Sequence, residues 1–345
     1  MKASVVDLFC GAGGLTHGLI QAGLKVPAGV DIASECKFAY EFNNGSVFID
    51  KDVKNLTKEE VLSLFGDADC KILAGCAPCQ PFSTYTLSRD KAKDAKWPLL
   101  YEFARLIKET SPDIITMENV PGVVKHQVYI DFYNSLIEQG YHLWAGAIDC
   151  TQYGVPQKRE RHVLLASRLG EISFIPPQDN IVSVRDAIGD LPALKAGQSC
   201  KKDPLHRASK LSEINKLRIK HSKPGGTWRD WPENLVADCH KKESGKGYAS
   251  VYGRMEWDKP SPTMTTLCYG FGNGRFGHPE QHRAISLREA ALLQSFPANY
   301  QFAKSGSDIS MRLTGRMIGN AVPVLLGKAI GDSIMNHLVK FDLNS

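Results

Sequence analysis

Apolar and polar positions alternate in blocks over the first half of the chain. Short apolar runs at 5–9, 26–32, 47–50, 71–75, 114–118, 142–149 and 162–167 have the length and bounding turns of buried strands. Between them, 14–22, 34–42, 57–65, 97–109 and 129–139 carry apolar residues at helical spacing. This alternation predicts an α/β domain whose mostly parallel sheet is covered by helices on both faces. Ligands bind such sheets at the carboxyl ends of the strands, so the residues after each run are the candidate site. The pattern changes at Pro176-Pro177. Residues 171–283 lose the alternation and are rich in Gly, Pro, Ser and Lys, which predicts a second, smaller and irregular domain. Helical spacing returns at 287–295, behind a capping box of Ser286 and Glu289. It returns again beyond Gly319-Asn320-Ala321-Val322-Pro323, with Asn320 as the expected N-cap and Leu326, Ile330, Ile334 and Leu338 on one stripe.

Composition narrows the class. The chain has 345 residues, 43% of them hydrophobic and 23% charged, enough to bury a core without covalent staples. No apolar run approaches the ~20 residues that span a bilayer, and no signal-peptide pattern opens the sequence. A cytoplasmic protein without membrane contact is expected. The nine cysteines are odd in number and mostly scattered, as in a reducing compartment. Cys76 and Cys79 spell CxxC, but no second pair completes a tetrahedral site, so no metal is expected. The net charge is +5, and all of the excess sits in 171–283, which holds 18 basic and 13 acidic residues against 24 of each elsewhere. With Trp228, Trp231 and Trp257 in the same segment, a nucleic-acid surface competes there with an ordinary solvated face.

Candidate chemistry follows strand by strand. After the first strand, Asp7-Leu8-Phe9-Cys10-Gly11-Ala12-Gly13-Gly14-Leu15 is a glycine turn of GxGG spacing, unlike the GxGxxG of a dinucleotide site. Asp31 follows the second strand, suited to ribose hydroxyls, and Asp52 the third, suited to an amine on an adenine-like ring. A glycine turn and two acids at strand ends suit a nucleoside without phosphates, such as S-adenosylmethionine. Taken singly, each acid is equally a helix cap or a surface charge. The fourth strand delivers Gly75-Cys76-Ala77-Pro78-Cys79-Gln80-Pro81-Phe82-Ser83. Prolines stiffen this turn, so Cys79 is either a held nucleophile or a buried structural cysteine. The basic stretch 84–96 behind it, with Arg89, could close over a phosphate backbone. Glu118 ends a buried strand, where a lone acid needs a partner or a role. Arg159 and Arg161 alternate, and so are expected on one face, as an anion clamp, a brace for Glu118 or a charged strand start. The hydroxyls of 260–266 are candidates for phosphate contacts.

Taken in order, DLFCGAGGL (7–15), Asp31, GCAPCQPFS (75–83), ENV (118–120), QKRER (157–161), LREAALLQSFP (287–297) and GNAVP (319–323) resemble the DNA cytosine-5 methyltransferase family of the prokaryotic restriction–modification type. The chain departs from that pattern at Ala77, where Pro or Phe is frequent, and at Val324, where a second proline is common. The resemblance implies a class I, Rossmann-like, S-adenosylmethionine-dependent methyltransferase fold. A catalytic domain of 1–170 with 284–345 would bracket a target-recognition domain of 171–283, and the last helix would return beside the first strand. It also implies a reaction. Cys79 adds to cytosine C6, Glu118 handles a proton at the ring, Arg161 and Arg159 hold the base or Glu118, and the methyl group reaches C5. The donor, which leaves as S-adenosylhomocysteine, would contact Phe9, Gly11, Gly13, Gly14, Leu15, Asp31, Ile32, Asp52, Val53, Pro78, Leu99, Asn320 and Val322. Duplex DNA would meet Ser83, Arg89, Arg254, Thr265 and Arg275. The resemblance further implies a monomer and, as a partner, a cognate restriction endonuclease. A tRNA methyltransferase of the same fold and an inactive DNA-binding relative are the alternatives. A NAD oxidoreductase is disfavoured by the glycine spacing.

Overall fold

The computed structural model describes residues 1–78 and 98–344. Cys79, Ser83 and Arg89 lie outside the described residues. Contacts divide the chain into two compact units: 1–153, 160–177 and 322–345 form one, and 154–159 with 178–321 the other.

The first unit is built on strands β1 (Ala3–Leu8), β2 (Lys25–Asp31), β3 (Val47–Asp50), β4 (Cys70–Gly75), β5 (Ile114–Asn119), β6 (His142–Asp149) and β7 (Glu160–Ser167). Their order in the sheet is β3-β2-β1-β4-β5-β7-β6, with β7 alone running antiparallel to its neighbours. The helices are α1 (Gly14–Gln21), α2 (Lys37–Asn44), α3 (Lys58–Phe65), α4 (Pro98–Thr110) and α5 (Gln127–Glu138). On one face Val6, Leu8, Leu73, Ile115 and Met117 pack against Phe103, Leu106, Ile107 and Phe132. Phe103 and Phe132 stack with ring centroids 5.6 Å apart. Burial of each such side chain contributes roughly 1.5–3 kcal/mol.

In the second unit, α6 (Val184–Ile188), α7 (Glu213–His221), the short turns α8 (Asp238–Lys241) and α9 (Glu243–Lys246), α10 (Leu287–Leu293) and α11 (Met311–Asn320) are joined by long irregular segments. The chain then passes back to the first unit as α12 (Val324–Asn344). This last helix lies on α1, and its Asp342 pairs with the amino group of Met1, two residues before β1, at 3.2 Å. A Cβ on Gly18 would sit 2.3 Å from the Val324 carbonyl oxygen, so only glycine admits that approach. Among the described residues no helix is long and apolar enough to cross a membrane.

Four expectations are corrected. The division does not fall at 283/284, because 284–321 groups with 178–283. Arg283 forms a bidentate pair with Glu289 of α10, at 2.7 Å on each oxygen, and Gly319 of α11 packs on the backbone of Thr265. Asn320 is not an N-cap but the exposed last residue of α11. Trp228 and Trp231 are each 6% exposed and lie in one hydrophobic cluster of the second unit with Ile219, Leu235 and Phe271, so they are not a stacking surface. Arg254 is 3% exposed. Its guanidinium donates to the carbonyls of Ile219, His278 and Gln281, at 2.8–2.9 Å for the shortest bond to each, so it staples this unit instead of reaching DNA.

Candidate active and donor sites

Strand geometry brings an acid and a base together. β5 is buried along its length, and it pairs β7 with Glu118 opposite Val163 and Asn119 opposite His162. Side chains two residues apart share a strand face, so Arg161 is the diagonal neighbour of Glu118. Its Nε donates to Glu118 Oε1 at 2.8 Å, with the two side chains 12% and 9% exposed. A carboxylate this deep would be costly alone, and the guanidinium offsets much of that cost. Behind the pair, His162 Nε2 and the Tyr129 hydroxyl lie 2.7 Å apart, and burial lowers the histidine to about 4. The imidazole is therefore neutral at physiological pH and braces β7 against α5.

The turn that leads to Cys79 is tied to the same strand end. Asn119 Nδ2 donates to the Ala77 carbonyl at 3.2 Å, while Asn119 Oδ1 accepts from Val120 N at 2.9 Å. The last paired residues of β4 and β5 are Gly75 and Met117, so Cys76 and Glu118 come next along each strand. Burial first, and then the nearby charge of Glu118, push the Cys76 thiol well above its ordinary range. A thiol held protonated is a poor nucleophile, which argues against Cys76 as the attacking group. Pro78, half-buried, is the last described residue before Cys79.

Arg159 does not share the surroundings of Arg161. It precedes β7, belongs to the second unit and is 5% exposed. Its Nη1 donates to the Met264 carbonyl at 3.2 Å and to Gln157 Oε1 at 3.4 Å, and its Nη2 to the Ala321 carbonyl at 3.5 Å. The two arginines differ in partners: Arg161 pairs with Glu118, whereas the bonds of Arg159 given above, which precedes β7, go to its own unit. Hydroxyls of 260–266 are partly spent in the same region, Ser261 on the Pro156 carbonyl and Thr263 on that of Lys158. Thr265 and Arg275 remain partly exposed, although Arg275 Nη1 already donates to the Gly226 carbonyl at 2.5 Å.

A second constellation surrounds the end of β1. Phe9, Gly11 and Gly13 adopt positive φ of 60°, 50° and 88°, and Gly13 caps α1 in the left-handed conformation. Asp31 closes the turn: Oδ2 accepts from Gly11 N and Oδ1 from Ala33 N, each at 2.8 Å. Each oxygen keeps a second lone pair for another donor. Ile32 beside it is 69% exposed, an apolar surface at a strand end. Asp52 Oδ1 caps the turn Val53–Asn55 through Lys54 N at 3.0 Å, and Val53 is 1% exposed in the core. Gly14, Leu15 and Val322 are buried, and Leu99 is half-buried at the start of α4. A glycine turn, a carboxylate with spare lone pairs and an exposed apolar side chain suit a nucleoside.

Asp7, under this turn, was not singled out from the sequence. It is fully buried; Thr16 Oγ1 donates to Oδ2 at 2.6 Å, and Oδ1 has no hydrogen-bond partner among the described residues. Burial raises this carboxyl to about 7, against the opposing effect of the Thr16 bond and with help from Asp31. The unfolded value is about 3.9, so the folded state binds this proton more tightly. The stability it contributes is present in full below about pH 4 and is lost as pH rises through about 7. We expect wild type to lose on the order of 3 kcal/mol relative to Asp7→Asn between about pH 5 and pH 8, measured by denaturant titration. A difference that stays constant over that range would show that Asp7 does not titrate there.

Comparison with known proteins gives the family. The family model described as C-5 cytosine-specific DNA methylase matches residues 3–336. The chain is 54% identical over 344 residues to the type II methylase M.HgiDII of Herpetosiphon aurantiacus, covering 98% of this chain and 96% of that protein. It is 32% identical to the type II methyltransferase M.Sau96I of Staphylococcus aureus, covering 98% and 77%. The solved structure of the Entamoeba histolytica methyltransferase EhMeth superposes with a TM-score of 0.68 at 15% identity, over 98% of this chain and 99% of that one. At that identity the likeness concerns the fold alone.

Proposed function

We propose how this chain, which belongs to the C-5 cytosine-specific DNA methylase family and is a DNA cytosine-5 methyltransferase, carries out its reaction. The thiolate of Cys79 adds to C6 of a cytosine turned out of duplex DNA, because the ring atoms are unreachable in the stack. A new S–C6 bond makes C5 nucleophilic, while negative charge develops toward N3. Glu118 shares a proton with N3, and Arg161 holds the Glu118 carboxylate and the oxygen side of the ring. C5 takes the methyl group, a base removes the C5 proton, and elimination frees Cys79. The single observation that carries this reading is the buried Glu118–Arg161 pair at the strand end to which Asn119 also ties the turn preceding Cys79.

The donor is S-adenosylmethionine in this reading, which supplies an electrophilic methyl group on a sulfonium. Gly11, Gly13 and Asp31 would bind its nucleoside, Ile32 its ring, Asp52 the ring amine, and Phe9, Pro78, Leu99 and Val322 the remaining surface. The spare lone pairs of Asp31 and the exposed Ile32 support that fit. Residues 178–283 would supply target recognition, with Thr265 and Arg275 as the remaining contacts among the described residues. Salt-dependent affinity would come from the basic residues of that segment. The likeness to M.HgiDII supports a restriction–modification setting, with an endonuclease of the same specificity as partner.

The test is transfer of labelled methyl groups from S-adenosylmethionine to duplex DNA or to tRNA. Label in DNA, at C5 of cytosine within one sequence context, is expected. Label confined to tRNA would overturn the choice of substrate.

A further inference from the structure

Asp7 is a buried carboxyl that the proposed reaction does not use. It is wholly enclosed, as are its neighbours Thr16 and Tyr40. Thr16 Oγ1 donates to Asp7 Oδ2 at 2.6 Å and lies 3.1 Å from the Tyr40 hydroxyl, while Asp7 Oδ1 has no hydrogen-bond partner among the described residues. An interior carboxyl with one oxygen unanswered is costly, and perturbed carboxyls cluster at functional sites.

Its place in the sheet is specific, and all of it lies in the first unit. β1 runs between β2 and β4, where Asp7 is paired with Gly29 on one side and Ala74 on the other. A Cβ on Gly29 would sit 2.4 Å from the Tyr40 hydroxyl, so Tyr40 closes over that side. Two residues further along each neighbour, and on the same face, come Asp31 and Cys76. Asp31 holds the glycine turn through Gly11 N. Cys76 N still bonds the Leu8 carbonyl at 3.3 Å, and Cys79 follows three residues later. A donor with its nucleoside at Asp31 and its methyl group at the ring attacked by Cys79 therefore crosses the end of β1, and its sulfur joins those two parts.

We infer that Asp7 is a specificity-determining residue of the donor site: its carboxylate favours the positive sulfonium of S-adenosylmethionine over the neutral thioether of S-adenosylhomocysteine. It acts without touching the ligand, through an interior where charge is felt at longer range than in water. The inference rests on reading the turn after β1 as the S-adenosylmethionine site.

The groups around Asp7 leave this role to it. Thr16 comes from α1, Tyr40 from α2, Asp31 from β2, Cys10 and Cys36 from the segments after β1 and β2, and Cys76 from the end of β4. Burial pushes all three thiols up, Cys36 to about 12, so they stay neutral near pH 7. Burial likewise raises Asp7 to about 7, so its ionisation can follow the ligand. A positive charge nearby favours the ionised carboxyl. By linkage, the cationic donor then gains affinity over the product as pH rises through about 7.

The test compares dissociation constants of S-adenosylmethionine and S-adenosylhomocysteine, by calorimetry without DNA, from about pH 6 to about pH 8.5. In wild type the preference for S-adenosylmethionine is expected to rise roughly fivefold, as when a nearby charge lowers one carboxyl by about one pH unit. In Asp7→Asn it is expected to stay within about twofold. The amino group of each ligand titrates in both proteins, so its effect cancels between them. An equal rise in both proteins, or none in wild type, overturns the inference and leaves the donor site standing. If neither ligand binds wild type, or if Asp31→Ala binds both as tightly, the reading of the site fails and this inference with it. Should Asp7→Asn not fold, Thr16→Val replaces it. That variant keeps the carboxyl and removes a bond that favours its ionised form, so the rise is expected at higher pH than in wild type; a rise at the same pH overturns the inference.

Discussion

Replacing Cys79 by serine abolishes methyl transfer while S-adenosylmethionine still binds. We expect the rate to fall by on the order of 10⁴-fold or more, with donor affinity within about twofold of wild type. Sulfur matters here because a cysteine is a few per cent ionised at pH 7, whereas a serine hydroxyl needs a base beside it to attack at all. Donor binding serves as the control for folding, since the glycine turn, Asp31 and Ile32 belong to strands other than the one that leads to Cys79. Cys76→Ser is the informative companion. Burial and the charge of Glu118 keep the Cys76 thiol protonated, so its replacement should leave the rate near wild type. If Cys76→Ser eliminated methylation and Cys79→Ser did not, the nucleophile would have been assigned to the wrong half of the CxxC pair.

The sheet was legible because its central strands are nearly continuous apolar runs, and buried strands read in that way; β6 is mostly exposed or half-buried, yet its run is apolar enough to read as a strand. The run at 142–149 was expected with the bounds that β6 has. The helix Met311–Asn320 was missed for a physical reason. It carries Gly315 and Gly319, whose hydrogens lie against Tyr269 and the Thr265 backbone, and glycine at two points makes a helix look like a loop. Asn320, expected to start a helix, ends this one. The hydrogen-bonding role of Arg254 was equally hidden. A basic residue in a basic segment reads as a DNA contact until the fold encloses it between carbonyls 24 and 35 residues away along the chain. Glu118 was legible as an anomaly, an acid closing an apolar strand. Its partner came from an alternation of arginines that fits two residues equally well. The ion pair decides between them: Arg161 Nε lies 2.8 Å from Glu118 Oε1.

The Glu118–Arg161 pair makes a prediction in which stability and rate part company. Arg161→Met leaves a carboxylate 9% exposed with its guanidinium gone, and removing one member of a buried pair costs about 3–5 kcal/mol. The same variant should slow methylation by about 10²–10³-fold, the usual effect of losing one group that stabilises developing charge. Glu118→Gln keeps the shape and removes the charge. It should cost less stability than Arg161→Met, yet slow the reaction by about 10²–10⁴-fold, because an amide cannot exchange a proton with N3. Combining the two replaces an ion pair by an amide beside a thioether of similar volume. Such replacements are often neutral, so the double variant should be more stable than Arg161→Met alone, by urea denaturation, while its single-turnover rate stays at or below that of the slower single variant. Stability returns because no unpaired charge is left in the interior; activity does not, because both groups proposed to meet the cytosine are gone. A double variant no more stable than Arg161→Met would mean that the bond at 2.8 Å is not what holds the Glu118 carboxylate in place.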